Sequence, residues 1–170
     1  QGRLSIMASG TPTAFATALP ILDSLAETVF ELGDKAGAGS AMKATNQLLA
    51  GVHIAAMAEA ITFGITQGIT PDTFLDVISK CAGTSWMLEN RAPHIVSGDY
   101  TPRSSVNIWP KDLGIVTEMA AASGFAAPIT QTALAQFQSA ADLGFGLEDD
   151  AAVAKVYAHR AGLTLPEENT

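Results

Sequence analysis

The first part of the chain alternates quickly between apolar runs and turn-forming residues. Leu4–Ser9 is a short, mostly apolar run that Gly10 ends, which predicts a buried strand. Thr11 and Pro12 then supply a helix cap and a proline in the first turn of an apolar-periodic segment. The β-branched and aromatic run 28–32 predicts a second strand. Strand, helix and strand in this order form one βαβ unit.

A βαβ unit cannot by itself cover both faces of its sheet or pair the outer edges of its strands. Parallel strands occur almost only in larger sheets with helices on both faces. We therefore expect the start of the chain to be the edge of a parallel-sheet domain whose earlier strands lie outside this sequence. A small α+β domain that begins at this point is the alternative.

From Gly39 onward the pattern is helical almost throughout. The longest run has Ser40 as its expected cap and reaches Gln67 without a proline, well beyond the average globular helix of about 11–12 residues. Shorter periodic segments, bounded by Gly, Pro or capping residues, predict further helices. These are 70–83, 85–96 with a bend or break at Pro93, 107–122, 128–143, and a last one capped by Asp149 and Asp150 that runs to about Ala161.

The pattern therefore predicts a mainly α fold with three parts. Residues 1–36 form the βαβ segment, residues 37–165 form an all-helical domain with a long first helix, and residues 166–170 form a tail. We see no repeat at a fixed period.

The composition narrows the class of protein. The chain has 9 Lys and Arg against 17 Asp and Glu, with a net charge of −8, so its field would repel the phosphates of a nucleic acid. One cysteine excludes a disulfide framework and offers no zinc site. The most apolar stretch, 47–66, is interrupted by glycine, histidine and glutamate, so we expect no membrane span. Gln1-Gly2-Arg3 lacks the features of a secretory leader, which favours a cytoplasmic location.

The residues best suited to chemistry lie where the long helix is expected to begin. Gly37 and Gly39 permit a tight turn, and Lys43 would fall in the first helical turn, where the helix dipole disfavours a cation. A lysine that gives up its proton readily suits proton transfer. Asn46 and Gln47, at i+3 and i+4 from Lys43, share its helix face, and together the three suit a small polyoxygenated anion. The alternative is a solvated lysine with two surface amides.

Three motifs in a fixed order resemble the β-hydroxyacid dehydrogenase family. They are Gly-x-Gly-x-x-x-Lys-x-x-Asn at 37–46, Lys-Asp-Leu at 111–113, and Gly-x-Gly-x-x-Asp-x-x-Ala at 144–152. This family includes 3-hydroxyisobutyrate dehydrogenases, tartronate semialdehyde reductases and, more distantly, 6-phosphogluconate dehydrogenases. The segments 83–91 and 98–104 most resemble its L-threonate dehydrogenase branch.

The resemblance implies a fold and a reaction. The family joins a Rossmann dinucleotide-binding domain to an all-helical C-terminal domain through a long interdomain helix, so this chain would be the last βαβ of the first domain and all of the second. The reaction would be hydride transfer between NAD or NADP and a small hydroxy acid. Because the glycine fingerprint that holds the dinucleotide lies outside this sequence, we expect the chain alone to be inactive, and the choice between NAD and NADP stays open.

The same resemblance implies roles for individual residues. Lys43 matches the general acid/base of the family. Asn46 and Gln47 match the pair that fixes the hydroxyl and carboxylate of the substrate. Lys111 matches a residue near the nicotinamide, and Asp112 one that maintains the geometry of the site.

Gly39, in the first motif, is expected beside the cofactor. Two positions depart from the family pattern: Gln47 stands where Asn is usual, and Arg103-Ser104 stands where Gly-Phe is common. Arg103 would bind a carboxylate or phosphate at the distal end of the substrate, or else face water on a loop. Both changes make the pocket more polar, which favours a sugar acid such as L-threonate over a methyl-bearing hydroxy acid.

Other distinctive residues have ordinary structural explanations. His53 is expected to be packed or in an interface, and His94 shows no ligand spacing with other histidines or with carboxylates. Cys81 is expected to be an inert, buried thiol. Trp86 and Trp109 are expected to anchor a core or an interface, since no basic stripe accompanies them.

A function of a different class is a helical oligomerisation module without its own catalytic role. Long Ala-rich helices pack closely, and the helical domain of the family commonly forms the subunit interface, so a homodimer or homotetramer is expected. A third possibility keeps the fold but changes the chemistry, as in imine-reducing or chromatin-reading relatives. Lys43 argues against it, because imine-reducing relatives usually replace that lysine.

Overall fold

A computed structural model describes residues 4–167, and these residues divide into two units between Asn46 and Gln47. The expectations for Gln1-Gly2-Arg3 and for residues 168–170 of the predicted tail lie outside the described residues. Both units are mainly helical, and the described residues contain one two-stranded parallel sheet. The predicted mainly α class is therefore confirmed.

The first unit contains the predicted βαβ arrangement. Strand β1 (Ser5–Ala8) leads through helix α1 (Pro12–Leu25) to strand β2 (Thr28–Glu31), and the two strands pair in parallel from Ser5 opposite Thr28 to Ala8 opposite Glu31. The Thr11 hydroxyl accepts a hydrogen bond from the Ala14 N–H at 3.3 Å, so α1 has the predicted cap. The expectation of a buried first strand is wrong, because no residue of β1 is fully buried.

Helix α2 (Ala38–Thr66) begins earlier than its sequence predicts. Gly37 takes a φ of +100°, and its carbonyl accepts from the Ala41 N–H, so Ser40 lies inside the helix and does not cap it. The acceptor for the Gly39 N–H is instead the Ser9 hydroxyl, at 3.0 Å. Lys43 consequently lies in the second turn, where the helix dipole has little effect, so the dipole argument for proton release is wrong.

The second unit is a set of helices packed around the rest of α2. They are α3 (Pro71–Ile78), α4 (Trp86–Ser97), α5 (Ile108–Ala122), α6 (Pro128–Ala140) and α7 (Ala154–Ala161). A π-helical turn (Ala141–Phe145) follows α6, and a 3₁₀ turn (Asp150–Val153) leads into α7. Fully buried side chains from four helices meet in one core: Ile54, Ile61, Leu113, Phe137 and Val156.

Several predicted helix ends are wrong. Helix α3 stops at Ile78 rather than near Gly83. The Lys80 and Cys81 N–H groups donate to carbonyls three residues earlier, as in a 3₁₀ turn, so the α-helix does not continue. Pro93 neither ends nor splits α4. Its neighbours Ala92, His94 and Ile95 are buried, and this packing outweighs the one backbone hydrogen bond that a proline removes.

Helix α2 explains the most apolar stretch of the sequence. By length and composition it is the one helix within residues 4–167 that could cross a membrane, a test that the core helix of a soluble protein also passes. Its Ile54, Ala58 and Ile61 are fully inaccessible and belong to the core of the second unit. Apolar residues around a helix are typical of a core position as well as of a membrane span.

Two helical glycines differ sharply in their surroundings, which gives a matched test of packing. A Cβ on Gly39 would lie 2.4 Å from the carbonyl oxygen of Met7, whereas a Cβ on Gly114 in α5 would meet nothing within 4 Å. We expect Gly39→Ala to lower the free energy of unfolding by about 1–3 kcal/mol because the backbone of β1 must move. Gly114→Ala should raise it by about 0.4–1 kcal/mol through a stiffer unfolded chain. Urea unfolding of both variants measures this, and equal stabilities would contradict the packing argument.

Candidate active site

Helix α2 carries Lys43 and Asn46 of the first motif and Gln47, the residue that follows it. Lys43 and Asn46 are exposed at the end of the first unit, and Gln47 begins the second unit half-buried. Their spacing of i, i+3 and i+4 is the spacing of residues on one helix face.

Asp112, in the second motif, contacts Gln47, the residue that directly follows the first motif. Its Oδ2 accepts a hydrogen bond from Gln47 Nε2 at 2.7 Å, and its Oδ1 lies 3.0 Å from Lys111 Nζ. An ionised carboxylate only accepts, so the amide nitrogen of Gln47 faces Asp112 and its carbonyl oxygen points away from that carboxylate. The side chain of Asp112 is 15% exposed and that of Lys111 is 69% exposed. Asp112 therefore holds the Gln47 amide in one orientation, and the Lys111 ammonium that it pairs with lies at the surface.

The two residues predicted beside a cofactor differ in how well they fit one. The exposed ammonium of Lys111 is suited to an anionic dinucleotide. Gly39 is buried, its N–H is donated to Ser9, and the space beside its Cα is filled by the Met7 carbonyl. The structure therefore explains the glycine by contact with β1, and a contact of Gly39 with the dinucleotide stays a prediction.

A buried acid pair, Asp149 and Asp150, forms a second polar cluster that the sequence pattern did not predict. Both side chains are completely inaccessible. Asp150 accepts from Arg91 Nε at 2.5 Å and from Trp109 Nε1 at 2.9 Å, so it serves as the partner of a largely buried arginine rather than as a cap. Asp149 does cap the 3₁₀ turn, through the Ala151 N–H, as predicted.

Asp149 also holds His94, which sequence spacing left without a carboxylate partner. Asp149 Oδ1 lies 2.8 Å from His94 Nδ1, and Oδ2 accepts from the Arg103 N–H at 3.1 Å. The other ring nitrogen, Nε2, lies 2.7 Å from Arg103 NH1. Fifty-five positions separate the histidine from the aspartate, so no local pattern could have paired them. The Asp of the third motif was the one available indication.

Hydrogen bonding makes Asp149 a stronger acid. Burial by itself raises the pKa of its carboxyl group, but hydrogen bonds from His94, Ala151 and Arg103 outweigh burial and hold the pKa below its ordinary value. An Asp in an unfolded chain has a pKa of about 3.9. The stabilising contribution of Asp149 is therefore present above that pH and is lost as the pH falls through the lower, folded-state pKa.

A pH titration of stability tests this linkage. We expect the free energy of unfolding to fall as the pH drops below about 4, and we expect Asp149→Asn to make that fall shallower, since the amide does not titrate. Urea unfolding at a series of acidic pH values provides the measurement. Identical slopes for the two proteins would contradict the assignment.

Arg103 lies at the surface and contacts two side chains of the second unit. Its side chain is 66% exposed, yet NH1 contacts the buried His94, and NH2 lies 4.0 Å from the Asp99 carboxylate. The guanidinium is therefore at the surface but is not a freely moving loop side chain.

One expectation outside the site is wrong. Cys81 is exposed rather than buried, because α3 ends before it and the chain leaves the core. Trp109 is buried and stacks on Phe137, as expected of a core anchor, and Trp86 is 70% exposed, which leaves an interface as its expected role. His53 is half-buried on α2, beside a cavity that Met57 and Phe74 also line.

Comparisons with known proteins connect this geometry to a family. A family described as NAD-binding of NADP-dependent 3-hydroxyisobutyrate dehydrogenase matches residues 37–157. An L-threonate dehydrogenase of Escherichia coli is 48% identical over 166 residues, which cover 98% of this chain and 54% of that protein. The chain thus spans about half the length of the curated relatives it matches.

Solved structures agree with the sequence comparison. The crystal structure of a 3-hydroxyisobutyrate dehydrogenase from Salmonella typhimurium superimposes with a TM-score of 0.88 at 51% identity, covering 92% of this chain and 55% of that one. A Mycobacterium tuberculosis 3-hydroxyisobutyrate dehydrogenase, solved with L-serine, has a TM-score of 0.82 at 28% identity, with coverages of 91% and 55%.

Proposed function

Because the chain belongs to the family described as NAD-binding of NADP-dependent 3-hydroxyisobutyrate dehydrogenase, we propose that it is part of an NAD(P)-dependent hydroxyacid dehydrogenase. In this proposal residues 1–36 are the last βαβ of a Rossmann domain, and residues 37–165 are the all-helical domain that α2 begins. The protein is a soluble enzyme of the cytoplasm. One observation carries the site assignment: Gln47, the residue that directly follows the first motif, donates a 2.7 Å hydrogen bond to Asp112 of the second motif.

The proposed chemistry divides an alcohol oxidation between a hydride and a proton. The bound NAD(P) would supply the acceptor for the hydride that leaves the hydroxyl-bearing carbon of the substrate. Lys43, as the free amine, takes the hydroxyl proton, so that the carbon–oxygen single bond becomes a carbonyl and Lys43 becomes an ammonium. In the reverse direction Lys43 returns that proton. Lys111 would contact the anionic dinucleotide through its exposed ammonium.

The other polar side chains would position the substrate. Asn46 and Gln47 would bind its hydroxyl and carboxylate, with Asp112 holding the Gln47 amide in one orientation. Arg103 would donate hydrogen bonds to the one carboxylate of a monocarboxylic substrate, beside the amides, or to a phosphate of the dinucleotide. A set of two amides and a guanidinium favours a polyhydroxylated acid, and L-threonate is the substrate in the name of the E. coli relative. L-Threonate is therefore the proposed substrate.

Steady-state assays of the full-length protein test this function. With NAD or NADP as the hydride acceptor, we expect a higher kcat/KM for L-threonate than for 3-hydroxyisobutyrate. The kcat/KM for the reduction of tartronate semialdehyde should be lower than both. The 170-residue chain assayed alone should show no turnover. A higher kcat/KM for 3-hydroxyisobutyrate would contradict L-threonate as the substrate. Turnover by the isolated chain would contradict the expectation that it is inactive alone.

Exposed apolar side chains on two helices of the second unit support a homodimer or homotetramer of the same enzyme. Leu49 and Phe63 on α2 are 51% and 64% exposed, and Ile129 at the start of α6 is 68% exposed. Exposed apolar side chains of this size favour burial against a partner. Sedimentation analysis should give a species larger than a monomer, and Phe63→Glu should shift it toward the monomer. A monomeric wild-type protein would contradict this assembly.

A further inference from the structure

We propose that His94 and Asp149 are positioning residues that hold the Arg103 guanidinium ready to bind an oxyanion, either the substrate carboxylate or a phosphate of the dinucleotide. This inference rests on the proposed function and adds two residues to it. Neither residue was among the sequence-predicted site residues, and both lie more than ninety per cent buried, with exposures of 5% and 0%.

The direction of each hydrogen bond in the cluster follows from the chemistry of arginine. A guanidinium has only donors, so His94 Nε2, 2.7 Å from Arg103 NH1, must accept and can carry no proton. The ring proton is then on Nδ1 and is donated to Asp149 Oδ1 at 2.8 Å. The carboxylate thereby selects the tautomer of His94 that can receive Arg103.

Asp149 also fixes the backbone of the residue it orients. Its second oxygen accepts the Arg103 N–H at 3.1 Å, so one buried carboxylate restrains Arg103 at both ends, directly at the backbone and through His94 at the guanidinium. Restraining a long side chain before binding lowers the entropy lost when a ligand binds. An arginine that only covered the protein surface would not need two buried residues to orient it.

The positive charge of Arg103 is not neutralised by its hydrogen bond to His94, because the acceptor is an uncharged ring nitrogen. A neutral imidazole satisfies one of the five guanidinium N–H donors without cancelling the positive charge. The Asp99 carboxylate forms a long ion pair with Arg103, in which Oδ2 lies 4.0 Å from NH2 and beyond hydrogen-bond distance, while Oδ1 accepts from the Thr101 N–H at 2.9 Å. The guanidinium is therefore oriented and still charged, which is the state that a bidentate carboxylate or phosphate contact requires.

Two substitutions of His94 separate positioning from packing. His94→Gln places an amide oxygen near the position of Nε2 and can still accept from Arg103. His94→Asn places an amide nitrogen near the position of Nδ1, so it can donate to Asp149 but leaves Arg103 without its acceptor. Both remove the ring, so they share the loss of packing, and thermal unfolding of each measures that loss. Arg103→Ala removes the proposed ligand contact itself.

Steady-state kinetics of the full-length protein, with L-threonate and the dinucleotide varied separately, are the test. Arg103→Ala should raise one KM by about tenfold to a hundredfold, as expected for a lost charge-assisted hydrogen bond. His94→Asn should raise the same KM by about three- to tenfold with a smaller effect on kcat, and His94→Gln should recover most of that change. An effect on the KM of L-threonate identifies the carboxylate as ligand, and one on the KM of the dinucleotide identifies a phosphate.

A double variant makes the outcome decisive. Because His94 would act through Arg103, adding His94→Asn to Arg103→Ala should raise the KM no further. Equal KM values for the Asn and Gln variants, or additive effects in the double variant, would overturn the positioning role. An unchanged KM in Arg103→Ala would overturn the oxyanion site while leaving the dehydrogenase assignment intact. Absence of wild-type turnover with any hydroxy acid would instead contradict the proposed function.

Discussion

Lys43→Ala in the full-length protein is expected to lower kcat for L-threonate oxidation by about 10²–10⁴, the usual contribution of a positioned general base. Without the amine, the hydroxyl proton must go to water as the carbonyl forms. The KM should change less, because the amides and not the lysine are proposed to hold the substrate. Lys43→Arg should be nearly as slow, since a guanidinium keeps the charge but does not release a proton at neutral pH.

Lys80→Ala provides the matched control for this prediction. Lys80 is 70% exposed and pairs with Asp76 one helical turn away, so its loss should leave kcat within about twofold of the wild-type value. Sedimentation of the Lys43 variants separates catalysis from assembly. Slow turnover with unchanged assembly supports catalysis by Lys43, whereas retained turnover would favour the helical domain as an oligomerisation module.

The largest expected effect on stability comes from the acid pair. Asp150→Ala removes the partner of Arg91, whose side chain is only 11% exposed, together with the acceptor of the Trp109 indole N–H. Leaving a buried cation without its partner costs about 3–5 kcal/mol of the free energy of unfolding. Urea or thermal unfolding of the 170-residue chain should register this loss.

An exposed aspartate of the same kind shows how much of that effect is due to burial. Asp76 pairs with Lys80 at the surface, with both side chains more than two-thirds exposed, so Asp76→Ala should cost less than about 1 kcal/mol. Asp150→Asn, which keeps an acceptor for Trp109 but loses the charge, should fall between the two. A similar small cost for both alanine variants would mean that Arg91 finds water or another partner.

Local sequence chemistry predicted the helical content and most of the helix starts. Thr11-Pro12 and Thr70-Pro71 each place a capping hydroxyl before a proline, and both hydroxyls accept from N–H groups three residues later. Each of these hydrogen bonds joins residues within one helical turn, so the local sequence is enough to predict it.

The start of α2 could not be predicted because a distant residue decides it. Ser40 has the local features of a cap, but the Gly39 N–H is satisfied by Ser9, thirty positions earlier. With that hydrogen bond made, the helix extends back to Ala38 and carries Lys43 into its second turn. A tertiary contact thus replaces the local cap and removes the dipole argument.

Only part of the candidate site could be predicted, because several of its contacts join residues that are far apart in the sequence. Lys43, Asn46 and Gln47 are linked by helical spacing, which a sequence displays directly. The contact of Gln47 with Asp112 and that of His94 with Asp149 join residues 65 and 55 positions apart, and nothing in their local surroundings indicates the partner. Family motifs pointed to Asp112 and Asp149, but not to His94 or Arg91.

The long sequence separations at the acid pair also bear on the lifetime of the folded chain. Its contacts close loops of 41 to 59 positions, whereas helices form from local contacts, so the acid pair should assemble late in folding. A substitution at a late-forming contact accelerates unfolding and leaves the refolding rate nearly unchanged. If Asp150→Ala costs about 3–5 kcal/mol, its native state should open more than about a hundredfold faster, which stopped-flow unfolding would register. For a cell, that difference would appear as faster proteolytic turnover of a protein that still folds at its normal speed.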